Sequence, residues 1–268
     1  MRTKTDEEVR VTLKRVEAKS AAGGRGRLWE VDAARGVAIL MMAVYHTVFD
    51  LYAYGGYEID AVGGGWARFA DLTAGSFLFL VGASLAISAE RDFLREGETR
   101  FVRYLQRGLK VFAFGMLLTV VFLAFGMGYV VFGILHLIGV SVVLAYPLLR
   151  YRALNLVLGA GVFALGLYVL RLTDTGLQPD SPWLLPLGFA PENLYMPDYR
   201  PLLPWFGVVL LGLGLGNFVY GRGGRLVRRA APRATAPLTF LGRHSLLVYL
   251  VHQPIILALL AVTGIISL

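Results

Sequence analysis

Cysteine is absent from all 268 residues. Disulfides, thiolate nucleophiles and cysteine-held metals are thereby excluded, and the redox compartment cannot be read from the chain. Charge is scarce as well: 16% of residues are charged against 56% apolar, with a mean hydropathy of +0.62, whereas an ordinary soluble domain is about a quarter charged. The first 28 residues are polar and mixed in charge, with no apolar run ahead of a small-residue cleavage site, so no secretory signal is expected. The histidines have no HExxH or comparable metal-box spacing, and no metal is expected. Because the last apolar run contains no lysine, a retinal Schiff base of the opsin kind is excluded. No internal repeat or low-complexity segment is visible.

What the chain does have is apolar length. Seven stretches qualify as membrane spans, at about 34–54, 68–88, 108–125, 129–149, 153–170, 202–220 and 244–266. The fold class expected is an all-α polytopic bundle of about seven transmembrane helices, residues 29–268, behind a polar basic tail, residues 1–28. Of the 26 lysines and arginines, all but Arg68, Arg171 and Arg200 fall in the tail or on alternate connections. By the positive-inside rule the N-terminus is cytoplasmic and the C-terminus outside. The same rule accounts for the net charge of +8, so nucleic acid is not expected as a partner. Gly126–Gly128 should make a tight hairpin between spans three and four. The apolar, proline-rich connection from Arg171 to Pro201 should pack over the outer mouth.

Ionisable groups inside such spans are costly and mark function. The first span carries Arg35, His46 and Asp50 on nearly one stripe, since eleven residues make about three turns and four just over one. His46 lies roughly 16 Å beyond Arg35, past the middle of a hydrocarbon core about 30 Å thick. As an i,i+4 pair, His46 and Asp50 have the spacing for a carboxylate to orient an imidazole that acts as general base. His136, about 10 Å deep from the other side, is placed to meet His46. Asp71, Asp198, Arg200 and Trp205 sit near the outer ends of their spans as supporting or acceptor-binding residues. In the last span Arg243 and His244 mark the inner edge, and Ser245, Tyr249 and His252 continue a polar stripe toward mid-membrane. Pro254 removes one backbone donor there. Gly212, Gly214 and Gly216 have no preceding strand and suit close helix packing better than a dinucleotide loop.

Taken in order, LWEVDAARGVAILMMAVYHTVFDL, FLFLVGASLAIS, FGILHLIGVS, RPLLPWFGVVLLGLGLG and LGRHSLLVYLVHQPI resemble the prokaryotic relatives of heparan-alpha-glucosaminide N-acetyltransferase, within the wider superfamily of transmembrane acyltransferases. The resemblance implies transfer of an acetyl or other acyl group from cytoplasmic acyl-CoA to an extracytoplasmic acceptor, commonly a sugar or glycan. In the animal enzyme the catalytic histidine follows the first membrane helix and an asparagine occupies the place of His46. Here Gly55–Ala67 contains no histidine, and His46 is taken as its substitute. The chain carries no counterpart of the large luminal domain of the animal protein, so glycosaminoglycan is not carried over as the acceptor.

On this reading Arg35, Arg243, His244, Ser245, Tyr249 and His252 serve the acyl-CoA, with Arg107 and Lys110 adding to a basic rim for its phosphates. His46 and Asp50 are catalytic. The setting is a multi-pass protein of the cytoplasmic membrane, in contact with lipid, and homo-oligomerisation is left open. The alternative is a transporter or binding protein using the same intramembrane His and Asp residues; the absence of an inverted repeat counts against it.

Overall fold

The computed structural model describes residues 28–126, 130–176, 181–190, 196, 198–221 and 231–266. Residues 1–27 of the basic tail, the link from Met127 to Tyr129, residues 222–230, residues 267–268 and part of the connection before Pro201 lie outside the described residues. Among the described residues eight α-helices follow in order: α1 Trp29–Gly55, α2 Gly64–Glu96, α3 Phe101–Ala124, α4 Ile134–Leu144, α5 Ala153–Asp174, α6 Leu202–Tyr220, α7 Ala236–Arg243 and α8 Ser245–Val262. The same residues form no strand, only an isolated bridge between Gly133 and Tyr199.

Six of these helices (α1, α2, α3, α5, α6 and α8) are long and apolar enough to cross a membrane. The fourth expected span is instead the short α4, eleven residues, which passes into a 3-10 turn at Tyr146–Leu148 where Pro147 removes a helical donor. α1 opens with Glu30 and Asp32 in its first turn, where carboxylates favour the helix dipole. It ends at Gly56 in the left-handed region (φ 68°), whose N–H returns to the Leu51 carbonyl.

The core runs along α2, α4 and α6 through Leu78, Leu85, Leu137, Val209, Leu210 and Leu213. α6 packs between α2 and α5, backbone nearly touching backbone. A Cβ on Gly82 would fall 2.0 Å from the Val209 carbonyl oxygen, and one on Gly212 2.1 Å from that of Phe79. The glycine run of α6 is thus a packing surface, as small residues are in apolar helices. α1 packs on α2, α7 and α8, and α3 on α4. The peripheral helices turn leucines and valines outward, Leu109, Leu117 and Leu123 on α3 and Leu247, Leu259 and Val262 on α8. Such faces belong in hydrocarbon. Inside, Asn217 donates to the Leu149 and Tyr151 carbonyls at 2.9 and 3.2 Å and closes the turn ahead of α5.

Candidate active site

Along the seam between α1 and α8, His46 meets His252, with ring centroids 4.7 Å apart and planes at 65°. The Nδ1 of His252 lies 2.6 Å from the Tyr249 carbonyl oxygen. Since a carbonyl only accepts, that nitrogen carries the hydrogen, and Nε2 of the neutral ring is left as a lone pair. Both His252 Nε2 and His46 Nδ1 are buried without a hydrogen-bond partner among the described residues. One turn along, Asp50 is fully buried and its Oδ1 accepts from Gln253 Nε2 at 2.6 Å. The spacing that suggested Asp50 as the partner of His46 is therefore used differently: Asp50 holds α8 through Gln253. Its Oδ2 and the Gln253 Oε1 are buried and, among the described residues, unpartnered as well.

The loop before α6 supplies the other wall. Asp198 adopts a left-handed conformation (φ 61°), which asparagine and aspartate tolerate better than most residues. Its Oδ2 accepts from the Tyr249 hydroxyl at 2.7 Å and from the Ile134 N–H at 3.2 Å, tying the loop to α8 and to the start of α4. Burial pushes the Asp198 carboxyl above the usual carboxylate value of 3.8, while the Tyr249 hydrogen bond, the Arg200 charge and the Ile134 N–H pull it back. The Tyr199 hydroxyl donates to the Leu185 carbonyl at 2.6 Å, and the Arg200 N–H to that of Phe132 at 3.2 Å. Arg200 reaches Asp71 at 3.4 Å and lies 5.1 Å above the Trp205 ring, with Nε buried and unpartnered among the described residues. A cavity of about 360 Å³ lies among these groups, lined by Met42, His46, Thr73, Asp198, Arg200 and Tyr249. The Asp198 side chain is open to that cavity.

His136 sits elsewhere. The Gly133 N–H donates to its Nδ1 at 3.2 Å, and its ring is 4.9 Å from Phe112 and 6.1 Å from Phe132. A Cβ on Gly115 would approach that ring to 2.9 Å. It caps α4 against α3, and the histidine facing His46 is His252. Helical rise contains the signal: α1 and α8 both start from the basic end, and His252 lies about 13 Å past Arg243, close to the 16 Å between Arg35 and His46. Gln253 and Tyr199 were not singled out in the sequence; only the polarity of HQP inside an apolar run pointed to the former.

At the basic end, Asp32 is 2% exposed and shared by Arg35 (3.1 Å) and Arg243 (3.4 Å). Arg35 also donates to the Ser84 hydroxyl. His244 joins α7 to α8, its Nδ1 2.9 Å from the Phe240 carbonyl oxygen, and Ser245 opens α8 half-buried. Arg107 donates to Ser88 at 3.3 Å; Lys110 is exposed on α3.

The chain matches the family model described as heparan-alpha-glucosaminide N-acetyltransferase, catalytic, over residues 27–254. That stretch contains every site residue named above. No curated protein and no solved structure matches it.

Proposed function

The chain belongs to the heparan-alpha-glucosaminide N-acetyltransferase catalytic family, a family of membrane acetyltransferase type, and from that premise we propose that it moves an acetyl or other acyl group from cytoplasmic acyl-CoA to an extracytoplasmic sugar or glycan. The observation that carries this reading is the His46–His252 pair, 4.7 Å apart beside a cavity inside an apolar bundle.

His46 lines the cavity; His252 stands behind it with its lone pair unpartnered among the described residues. If His46 carries its hydrogen on Nδ1, donation of that N–H to His252 Nε2 would leave His46 Nε2 as the base. His252 then does for His46 what an orienting carboxylate does in a catalytic triad. The acceptor's hydroxyl or amine attacks the thioester carbonyl as His46 takes its proton. The C–S bond breaks, and the proton passes from His46 to the departing thiolate, giving CoA and the acylated acceptor. Asp198, Arg200 and Tyr249 offer the acceptor hydrogen-bonding groups, with Asp71 and Trp205 behind Arg200.

Arg35 and Arg243 stand at the opposite end, where the CoA phosphates would compete with Asp32 for their donors; Arg107 and Lys110 extend the basic rim. Donor and acceptor would thus arrive from opposite faces. Oriented vesicles test the reading: acetyl-CoA should work only from the face bearing the N-terminus, and an impermeant amino sugar only from the other. Transfer with both confined to one face would overturn the sidedness. Failure of purified protein to retain acetyl-CoA would favour a transporter.

A further inference from the structure

Beside the reaction cavity runs a second, larger one of about 1000 Å³. Its walls are α1 (Val37, Met41) and α5 (Phe163, Leu167), and its floor is α2 and α6 (Phe79, Val208). The side chains at its rim are apolar yet open to the outside: Val37 is 45% exposed, Leu72 60% and Leu167 46%. In a bilayer those positions face acyl chains, so the groove opens sideways into lipid.

Polarity is confined to one end. Asp71, Tyr199 and Arg200 stand there, and the one hydroxyl further along, Ser76, is turned onto the Leu72 carbonyl at 2.7 Å. Tyr199 and Arg200 line both this groove and the cavity containing His46. From Asp71 to Leu80 the groove follows α2 for ten residues, a rise of about 13 Å, close to half of a hydrocarbon core about 30 Å thick. Its length is that of one leaflet. The shape is that of an amphiphile, a hydrocarbon chain ending at a polar group that leads into the reaction cavity.

We infer that the groove holds the hydrocarbon chain of a membrane-resident acceptor, a glycosyl lipid whose hydroxyl or amine extends past Tyr199 and Arg200 to His46. This rests on the acyl-transfer reading and names its acceptor class. The polar end also limits the headgroup. Because Arg200 and Asp71 neutralise one another at 3.4 Å, they attract a net charge poorly, but they offer guanidinium donors and carboxylate acceptors to sugar hydroxyls. A fully soluble acceptor would leave the groove without a role. The acyl chain of the donor would need its polar end toward Arg35 and Arg243, whereas the groove's polar end is the opposite one.

The test uses the full chain in lipid nanodiscs, with dodecyl β-glucosaminide carrying a chain-terminal diazirine as probe, and glucosamine and acetyl-CoA as comparators. Photolysis should label α1, α2, α5 or α6 at groove residues, and unlabelled dodecyl β-glucosaminide should suppress it. Leu167→Trp and Val37→Trp fill the groove from different walls, so a folding defect in one leaves the other. Each should cut labelling and transfer to the dodecyl glycoside at least tenfold, with acetyl-CoA retention unchanged. Labelling outside the groove, or transfer to glucosamine and to the dodecyl glycoside equally insensitive to both variants, overturns the inference and leaves acyl transfer standing. Loss of acetyl-CoA retention in both variants assigns the groove to the donor and also overturns it. Groove labelling without any transfer supports the lipid site and counts against the acyltransferase reading instead.

Discussion

His46 and His252 stand with ring centroids 4.7 Å apart across the α1–α8 seam, although 206 positions separate them in the chain. If the second ring orients the first, the two act as a unit, and losses within a unit are not additive. His46→Ala should lower kcat by about 10²- to 10⁴-fold, the usual contribution of a general base, with acetyl-CoA still bound. His252→Ala should lower kcat at least tenfold, and the double variant should be little worse than His46→Ala alone. Multiplicative losses in the double variant would show that the two rings work independently.

Asp50 depends on Gln253. Gln253→Ala leaves a buried carboxylate without its donor, a loss of about 1–3 kcal/mol, to be read as a lower unfolding midpoint in detergent. Gln253→Glu should be worse, since it sets two carboxylates face to face. Should Gln253→Ala unfold at the wild-type midpoint, Asp50 has another partner in the membrane.

Hydropathy and helical period located most of the fold, because burial in lipid imposes one rule on every span. They predicted a full span where the chain makes the short α4 and a 3-10 turn, and they gave no sign of α7, which ends just ahead of the last expected span. α7 is eight residues long and held by backbone proximity to α1, which no apolar average detects. At the site, His46 and Asp50 were legible as costly groups on one stripe. Their partners were not, since local spacing sees an i,i+4 neighbour but not Gln253, which only the register of α8 against α1 delivers. His136 shows the converse: its depth fitted, but the Gly133 N–H and the Phe112 ring use it at the start of α4.

Close approach makes the α1–α7 contact fragile. A Cβ on Gly242 would lie 1.7 Å from the Asp32 carbonyl oxygen, and one on Gly36 2.1 Å from that of Leu238. These are backbone atoms, which yield less readily than a side chain. Gly242→Ala should cost about 1–3 kcal/mol by overpacking, visible as a lower yield of monodisperse protein. Gly65→Ala, where nothing lies within 4 Å, is the control. Equal behaviour of the two would mean that α7 is not seated on α1.

The basic end tests the donor side. Arg35→Ala and Arg243→Ala should weaken acetyl-CoA far more than an acetyl-pantetheine thioester, because only the former presents nucleotide phosphates. Both arginines share Asp32, so Asp32→Asn frees their donors and should not weaken acetyl-CoA. Equal losses for both thioesters would assign the arginines to structure.

Asp198 gives a pH dependence whose direction follows from its surroundings. Burial raises its folded pKa above the ordinary 3.8, against the Tyr249 hydroxyl, the Arg200 charge and the Ile134 N–H, which face it from α8, its own loop and α4. The folded chain therefore binds a proton at Asp198 that the unfolded chain has already lost, and protons bound preferentially by the folded state make stability fall as pH rises. This contribution is fully present below about 3.8 and is lost as pH climbs through the raised folded value. Asp198→Asn cannot ionise, so its unfolding midpoint should fall less than that of wild type as pH rises above about 4. Asparagine keeps a carbonyl oxygen for the Tyr249 hydroxyl and the Ile134 N–H, which separates charge from lost hydrogen bonding. Asp198→Ala should lose stability across the whole range. If the Asn variant follows the wild-type curve throughout, Asp198 does not change ionisation on folding, and the groups facing it outweigh its burial.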